Sequence, residues 1–255
     1  MSLKVTVVIP TYNEAENITK IAPALFDLNI PEFTLLIVDD NSPDGTGEIG
    51  EELGRKMDGR VQVLHRPGKM GLGTAYIQGF NYAMQQGAEA IGQMDADFSH
   101  QPQKVLELLE TLQQCDMALG SRYVAGGALD ERWPVWRKAL SAWGNFYART
   151  ILGLPLRDVT GGFRMWRRST LEAMPLHRVR SNGYNFQVEM AYIAHRLGFK
   201  IREIPIYFAD RKFGKSKMSL KIQMEAAFRV WQVKWNYRDL RAKGKAGRKN
   251  LIPNS

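Results

Sequence analysis

Residues 3–46 read LKVTVVIPTYNEAENITKIAPALFDLNIPEFTLLIVDDNSPDGT. Residues 3–9 are β-branched and apolar, with Pro10 closing the run, which predicts a buried strand. Asn13 stands three residues before Glu16, a capping-box pattern that predicts a helix opening there and running to about Phe26. Residues 33–38 predict a second buried strand. It ends in a dense turn cluster, Asp39-Asp40-Asn41-Ser42-Pro43-Asp44-Gly45. Continuous apolar strands separated by a helix indicate a parallel sheet covered on both faces.

The alternation continues outward from this unit. Helices are expected near 47–57, 74–85 and 102–113, and strands at 61–65, 90–94 and 117–120. Beyond residue 120 the pattern is less regular. It offers a helix at 136–152, a strand near 162–166, a helix at 184–197 and a strand at 201–208. A loop at 210–218 and a last helix at 220–240 follow. The fold class expected is α/β, a mostly parallel sheet with helices on both faces. No internal repeat is visible.

Composition sets bounds on this reading. The chain has 255 residues and 29.0 kDa, with 44% hydrophobic and 24% charged residues. Those values describe an ordinary globular protein and exclude whole-chain disorder, collagen and coiled coil. Cys115 is the lone cysteine, which excludes an intramolecular disulfide and a multi-cysteine metal site. The first residues lack a long apolar core, so no signal peptide is expected. No run approaches 18 apolar residues, so no transmembrane segment is expected either. The expected compartment is the cytoplasm.

The net charge of +9 is unevenly spread. From Arg196 onward there are 16 Lys and Arg against 4 Asp and Glu, a surplus of 12. The first 195 residues hold 19 basic and 22 acidic residues. A basic final quarter on a near-neutral body suits an anionic partner or a solvated tail.

Three polar clusters follow three different predicted strands: Pro10-Thr11-Tyr12-Asn13-Glu14, Asp39-Asp40-Asn41-Ser42 and Asp95-Ala96-Asp97. In an open α/β sheet they share the edge where ligands bind. Asp95 and Asp97 offer hard oxygen ligands suited to Mg²⁺ or Mn²⁺ completed by substrate phosphates. The alternative is that they cap a helix or bond a turn. Gly71-Leu72-Gly73-Thr74-Ala75-Tyr76 lacks the third glycine of a dinucleotide fingerprint. It reads as a tight turn placing Lys69 and backbone amides near a helix start. His65, His100, His177 and His195 have no ligand spacing and read as structural. No Gly-x-Ser-x-Gly supports a hydrolase triad.

Two segments suggest a membrane surface. Trp133-Pro134-Val135-Trp136-Arg137-Lys138 leads into Trp143, Phe146 and Tyr147. The last helix carries Leu220, Met224, Phe228, Trp231 and Trp235 on one stripe, followed by Arg241, Lys243, Lys245, Arg248 and Lys249. Such a stripe either lies in a headgroup region or packs on the core.

These residues together resemble a family. Pro10-Thr11-Tyr12-Asn13-Glu14, the run at 39–46, the glycine turn at 71–76 and Met94-Asp95-Ala96-Asp97 resemble inverting family 2 glycosyltransferases, which have a GT-A fold. A second set is more specific. Arg137-Lys138-x-x-Ser141, Asp158-x-Thr160-Gly161-Gly162-Phe163-Arg164, Gly183-Tyr184-x-Phe186-Gln187-x-Glu189-Met190 and Asp210-Arg211…Ser216-Lys217 resemble dolichol- and polyprenol-phosphate mannose synthases, the bacterial polyprenol enzymes above all. The resemblance spans about residues 3–220.

It implies a catalytic domain over 1–218, an amphipathic helix over 219–240 and a basic, disordered tail over 241–255. It implies mannose transfer from GDP-mannose to a polyprenyl phosphate with inversion. Pro10, Tyr12, Glu14, Val38 and Asp40 would hold the guanosine. Asp95, Ala96 and Asp97 would meet the donor diphosphate, with Asp95 and Asp97 on Mg²⁺ or Mn²⁺. Arg211 and Lys217 would reach over the donor phosphates. Arg122, Arg137 and Ser141 would hold the lipid phosphate, with Arg122 counted beside Asp95 and Asp97 as catalytic. Some members carry Gln where this chain has Ser99, and many end in transmembrane helices. This chain is thus expected to work peripherally on the cytoplasmic membrane face, alone or with a small membrane-anchoring subunit. The alternatives are another donor such as UDP-glucose and, from a different class, a basic nucleic-acid module. No helix-turn-helix, zinc or RNP pattern supports the latter, so no nucleic-acid partner is expected.

Overall fold

A computed structural model describes residues 3–210 and 220–241, with residues 220–226 described by backbone alone. Four strand–helix units and a fifth strand lead off: β1 (Val5–Thr11), α1 (Ala15–Phe26), β2 (Phe33–Asp39), α2 (Thr46–Lys56), β3 (Val61–His65), α3 (Leu72–Gln85), β4 (Ala90–Gln93), α4 (Lys104–Leu112) and β5 (Met117–Ser121). A short β6 (Ala128–Leu129), the long α5 (Val135–Leu152), β7 (Arg164–Arg167), α6 (Arg168–Ala173) and α7 (Tyr184–Arg196) follow. β8 (Ile201–Pro205), β9 (Tyr207–Phe208) and α8 (Leu220–Asn236) complete the described chain.

Seven strands form one sheet in the order β3-β2-β1-β4-β7-β5-β8. All neighbours are parallel except β7, which runs antiparallel between β4 and β5. The expected mostly parallel sheet is present. Alternation along β1 decides its two faces. Val8 joins the core with α3, α5, α7 and α8, while Val7 and Ile9 join the core with α1 and α4. α3 approaches closely because Gly79 has no side chain. A Cβ there would lie 2.4 Å from Val8 Cγ1.

The structure corrects several local expectations. Asn13 does not cap α1. It adopts a left-handed conformation at φ 60°, and Glu14 occupies the N-cap without a side-chain cap bond. The cap comes from the β2–α2 loop and the first residue of α2 instead: Asn13 N donates to Ser42 Oγ at 3.0 Å, Glu14 N to Thr46 Oγ1 at 3.0 Å and Ala15 N to Asp44 Oδ2 at 3.1 Å. The strand expected at 201–208 is two: β8 extends the main sheet, and β9 pairs with β6. Pro205, at the junction, has no amide to carry the ladder on.

The aromatic stripe of α8 is settled in part. Val230, Val233 and Tyr237 are the core-facing residues, whereas Phe228, Trp231 and Trp235 are exposed. The side chains of Leu220 and Met224, the expected loop after Asp210 and the tail beyond Arg241 lie outside the described residues. No helix among the described residues is long and apolar enough to cross a membrane.

Candidate active site

From β1 the chain moves outward to β2 and β3, then returns to place β4 on the other side of β1. The carboxyl ends of β1, β2 and β4 therefore border the crevice at the switch point of the sheet. Pro10, Tyr12, Glu14, Asp40, Asp95, Ala96 and Asp97 fall at these ends, as the sequence predicts. Val38 lies one residue further inside and is fully buried beside α3, which leaves only its main chain for a ligand.

Asp39, one residue before the predicted Asp40, is structural. It accepts from Thr11 Oγ1 at 3.0 Å, Ser42 Oγ at 2.5 Å and Ser42 N at 3.0 Å, tying β1 to the loop after β2. Asp40 accepts from Arg66 Nη1, and Arg66 Nη2 reaches Thr74 Oγ1 at 2.6 Å in the first turn of α3. Burial raises the Asp40 carboxyl above its usual value, and the Arg66 charge only partly offsets it. Arg66 was missed at the sequence level. Its signal was a basic residue directly past the end of β3, facing an acidic cluster. Lys69 stacks over the Tyr12 ring at 4.1 Å.

The second carboxylate group follows β4. Asp95 Oδ1 accepts from Tyr76 OH at 3.2 Å, and the Tyr76 ring stacks against Phe186 and Phe80. Burial, then the Asp95 charge, raises the Tyr76 hydroxyl well above its usual value, so it remains a donor. Asp97 Oδ1 accepts from Ser99 N at 3.0 Å. Gly162 leaves room beside Asp95: a Cβ there would lie 3.9 Å from Asp95 Oδ2 and 3.3 Å from Gln187 Nε2. Arg164 holds the turn carrying Gly162 by donating to the carbonyls of Gly161 and Val159. Its burial brings the guanidinium down to about 9.

Two hard carboxylates with open space beside them fit Mg²⁺ or Mn²⁺, which keep waters and take substrate phosphates as ligands. Among the described residues no group of three or more His, Cys, Asp and Glu side chains forms a closed metal cage. A cation here would therefore draw its remaining ligands from substrate and water.

His100 connects this end to the basic end. Its Nδ1 accepts from Asp95 N at 3.2 Å, and its ring stacks on Phe163 and meets Phe208 edge to face at 5.5 Å. Burial lowers its pKa, so the ring is neutral. Phe208 also meets the Arg122 guanidinium at 5.3 Å and the Trp133 ring at 5.8 Å. Arg137 in turn stacks on Trp133 at 3.5 Å. Phe208 thus joins the carboxylates to both predicted arginines, and nothing in its sequence context announced it.

The two arginines differ. Arg122 is buried, with Nε 2.6 Å from Asp158 Oδ2 and Nη2 2.7 Å from both Asp158 Oδ1 and Thr160 Oγ1. Asn145 of α5 extends this network. It donates to Thr160 Oγ1 and accepts from the amides of Val159 and Thr160. Arg137 is partly exposed and makes a longer pair, Nη1 to Asp210 Oδ1 at 3.1 Å. Asp210 also accepts from Trp133 Nε1 at 3.0 Å. Ser141 accepts from Tyr123 OH at 2.8 Å. Arg211 and Lys217 lie outside the described residues.

The family model described as Glycosyl transferase family 2 matches residues 6–174. The undecaprenyl-phosphate mannosyltransferase of Micrococcus luteus is 44% identical over 94% of this chain and 99% of that protein. The polyprenol monophosphomannose synthase of Mycolicibacterium smegmatis is 42% identical over 91% of this chain and 86% of that one. Among solved structures, glucosyl-3-phosphoglycerate synthase of Mycobacterium tuberculosis, in complex with Mn²⁺, UDP-glucose and phosphoglyceric acid, has the same fold. Its TM-score is 0.64 at 16% identity, covering 95% of this chain and 82% of that one.

Proposed function

We propose that this chain, which belongs to glycosyl transferase family 2, transfers mannose from GDP-mannose to a polyprenyl phosphate with inversion at the anomeric carbon. The observation that carries the reading is the 42–44% identity, over 91–94% of this chain, with two relatives named undecaprenyl-phosphate mannosyltransferase and polyprenol monophosphomannose synthase. The geometry supports it: a carboxylate pair at the sheet's switch point and a basic, aromatic acceptor side are joined through His100 and Phe208.

Pro10, Tyr12, Glu14, Asp40 and the main chain of Val38 hold the guanosine, with Lys69 fixing the Tyr12 ring. Asp95 and Asp97, beside Ala96, would hold Mg²⁺ or Mn²⁺, and the bound cation would supply charge stabilisation to a departing diphosphate. Arg211 and Lys217 serve the donor phosphates. Arg137 and Ser141 receive the lipid phosphate. Arg122 already forms a buried neutral pair with Asp158, so it builds the acceptor wall, and Arg137, whose pair with Asp210 is longer and partly exposed, supplies the charge for the lipid phosphate.

The reaction needs no strong base. A phosphate monoester has its second pKa at about 6 and is largely dianionic at neutral pH. One of its oxygens supplies the electron pair for the new bond to C1. The bond from C1 to the diphosphate breaks on the opposite face, and GDP leaves with that pair through an oxocarbenium-like state. No proton has to move. His100 suits this scheme, since its neutral ring spends Nδ1 on the Asp95 amide. A lipid acceptor implies work at a membrane surface, and the cytoplasmic face is part of the proposal.

A donor competition tests the reading. With polyprenyl phosphate as acceptor, GDP-mannose yields the β-mannosyl lipid and excess UDP-glucose does not suppress it. Equal use of UDP-glucose, or an α-linked product, defeats the proposal.

A further inference from the structure

Helices α5 and α8 lie side by side. Tyr147 of α5 receives a hydrogen bond from Trp231 Nε1 of α8 at 2.9 Å, and its own hydroxyl donates to the carbonyl of Ala227 at 3.3 Å. Trp143 stacks on Tyr147 at 5.3 Å. These contacts join two helix faces into one aromatic ridge. Val135, Trp136, Trp143, Phe146, Phe228 and Trp235 stand on it beside Trp231, each between 50% and 82% exposed. An apolar surface of this kind on a single chain marks an interaction site.

The charge on the two helices is predominantly basic. α5 carries Arg137, Lys138 and Arg149 and no acidic residue, and the described side chains of α8 include Arg229 and Lys234 and no acid. Lys234 stands 5.6 Å over the Trp231 ring, and Arg238, just past α8, stands 4.0 Å over Trp235. Tryptophan bodies with cations stacked beside them match the boundary between acyl chains and anionic headgroups. A protein partner burying the ridge would have to desolvate these cations or pair each with its own carboxylate.

We infer that the α5–α8 ridge docks directly on an anionic lipid surface and fixes the orientation of the acceptor site. The inference rests on the proposed use of a lipid acceptor. It adds the surface, the lipid charge and the geometry. Trp136, Trp143 and Phe146 share one face of α5, while Ser141 and Asn145 face inward to Tyr123 and Thr160. α5 thus forms the wall between bilayer and acceptor network. A lipid phosphate passes the amino end of that wall, where Arg137 stacks on Trp133.

The test uses the full chain and protein-free vesicles. One set contains equal phosphatidylglycerol and phosphatidylcholine, and the other phosphatidylcholine alone. Binding is expected to be about tenfold or more tighter to the anionic set, with tryptophan emission quenched by brominated acyl chains. The variant Trp136→Ser/Phe228→Ser/Trp235→Ser keeps the basic tail and removes three exposed rings. It is expected to bind anionic vesicles about tenfold or more weakly while keeping its Tm and its transfer to a dispersed short-chain polyprenyl phosphate. Equal binding to both vesicle sets, or wild-type binding by the variant, overturns the inference. So does binding to native membranes without binding to vesicles, which would assign the ridge to a protein subunit. Loss of short-chain transfer in the wild type would defeat the functional reading and leave the vesicle result intact.

Discussion

Arg122 and Asp158 close on each other as a buried fork: Nε meets Oδ2 at 2.6 Å and Nη2 meets Oδ1 at 2.7 Å, and the Arg122 amide donates to Oδ2 at 3.0 Å. The pair joins the end of β5 to the turn before β7. Glu203 of β8 fixes that turn from behind by accepting from the amides of Arg157 and Asp158. The side chain that the motif pattern offered as an anion receptor is thus already committed to an anion of its own.

Breaking the fork is expected to be costly. Asp158→Asn leaves a buried guanidinium without its counter-charge, which destabilises the chain by about 3–5 kcal/mol. The acid dependence has a definite sign. Burial alone would raise the Asp158 carboxyl, but the Arg122 charge and hydrogen bonds carry it below 3.8. The unfolded chain therefore takes up this proton first as pH falls. The fork's contribution is full above the unfolded value and is lost as pH drops through the folded one. Urea titrations from about pH 5 downward should show a steeper loss in wild type than in Asp158→Asn.

Arg137 is the partly exposed arginine of the proposed acceptor side, held by its 3.1 Å pair with Asp210. Arg137→Ala should raise the KM for polyprenyl phosphate by about tenfold to a hundredfold, the worth of a hydrogen bond to a charged group. The donor KM should stay unchanged. Asp210→Asn removes the competing carboxylate and should lower the acceptor KM by no more than about threefold, because a partly exposed pair is weak. Steady-state kinetics with both substrates varied checks both.

Gly162 keeps space open next to Asp95. Gly162→Val would push branched carbons toward Gln187 and Asp95. Transfer should fall by on the order of tenfold to a hundredfold, the cost of a small misplacement at a reacting centre. More Mg²⁺ or Mn²⁺ should be needed for half-maximal rate. Titrating each metal against rate in wild type and variant checks this.

Gly79 tests the packing of α3. Gly79→Ala gains up to about 1 kcal/mol of helix propensity. The added Cβ would meet Val8 Cγ1 at 2.4 Å and Val38 Cγ2 at 3.1 Å, and overpacking costs about 1–3 kcal/mol. A net loss of stability is expected in thermal or urea denaturation.

Much of this was legible in the chain before folding. Apolar continuity located β2, β3, β4 and β5 to within a residue or two, because fully buried strands leave little choice of composition. The carboxylates Asp40, Asp95 and Asp97 could be placed at one sheet edge because they follow such strands within a few residues. What escaped depends on distant pairing. Nothing local says that β7 inserts antiparallel between β4 and β5. Asn13 offered a capping pattern, yet Ser42, Asp44 and Thr46 do that work across more than 28 residues. Arg66, Phe208 and Asn145 became site residues only when three remote segments met. The stripe of α8 fitted core or surface equally well. The smaller Val230, Val233 and Tyr237 face took the core instead.

The central claim is metal-dependent mannose transfer from GDP-mannose to a lipid phosphate. The direct measurement is incorporation of labelled mannose from GDP-mannose into polyprenyl phosphate, with and without EDTA, in wild type and Asp97→Asn. The account predicts label in the lipid fraction from wild type, its loss with EDTA, recovery on adding Mg²⁺ or Mn²⁺, and almost none from Asp97→Asn. Label that survives EDTA, or wild-type turnover by Asp97→Asn, would contradict it.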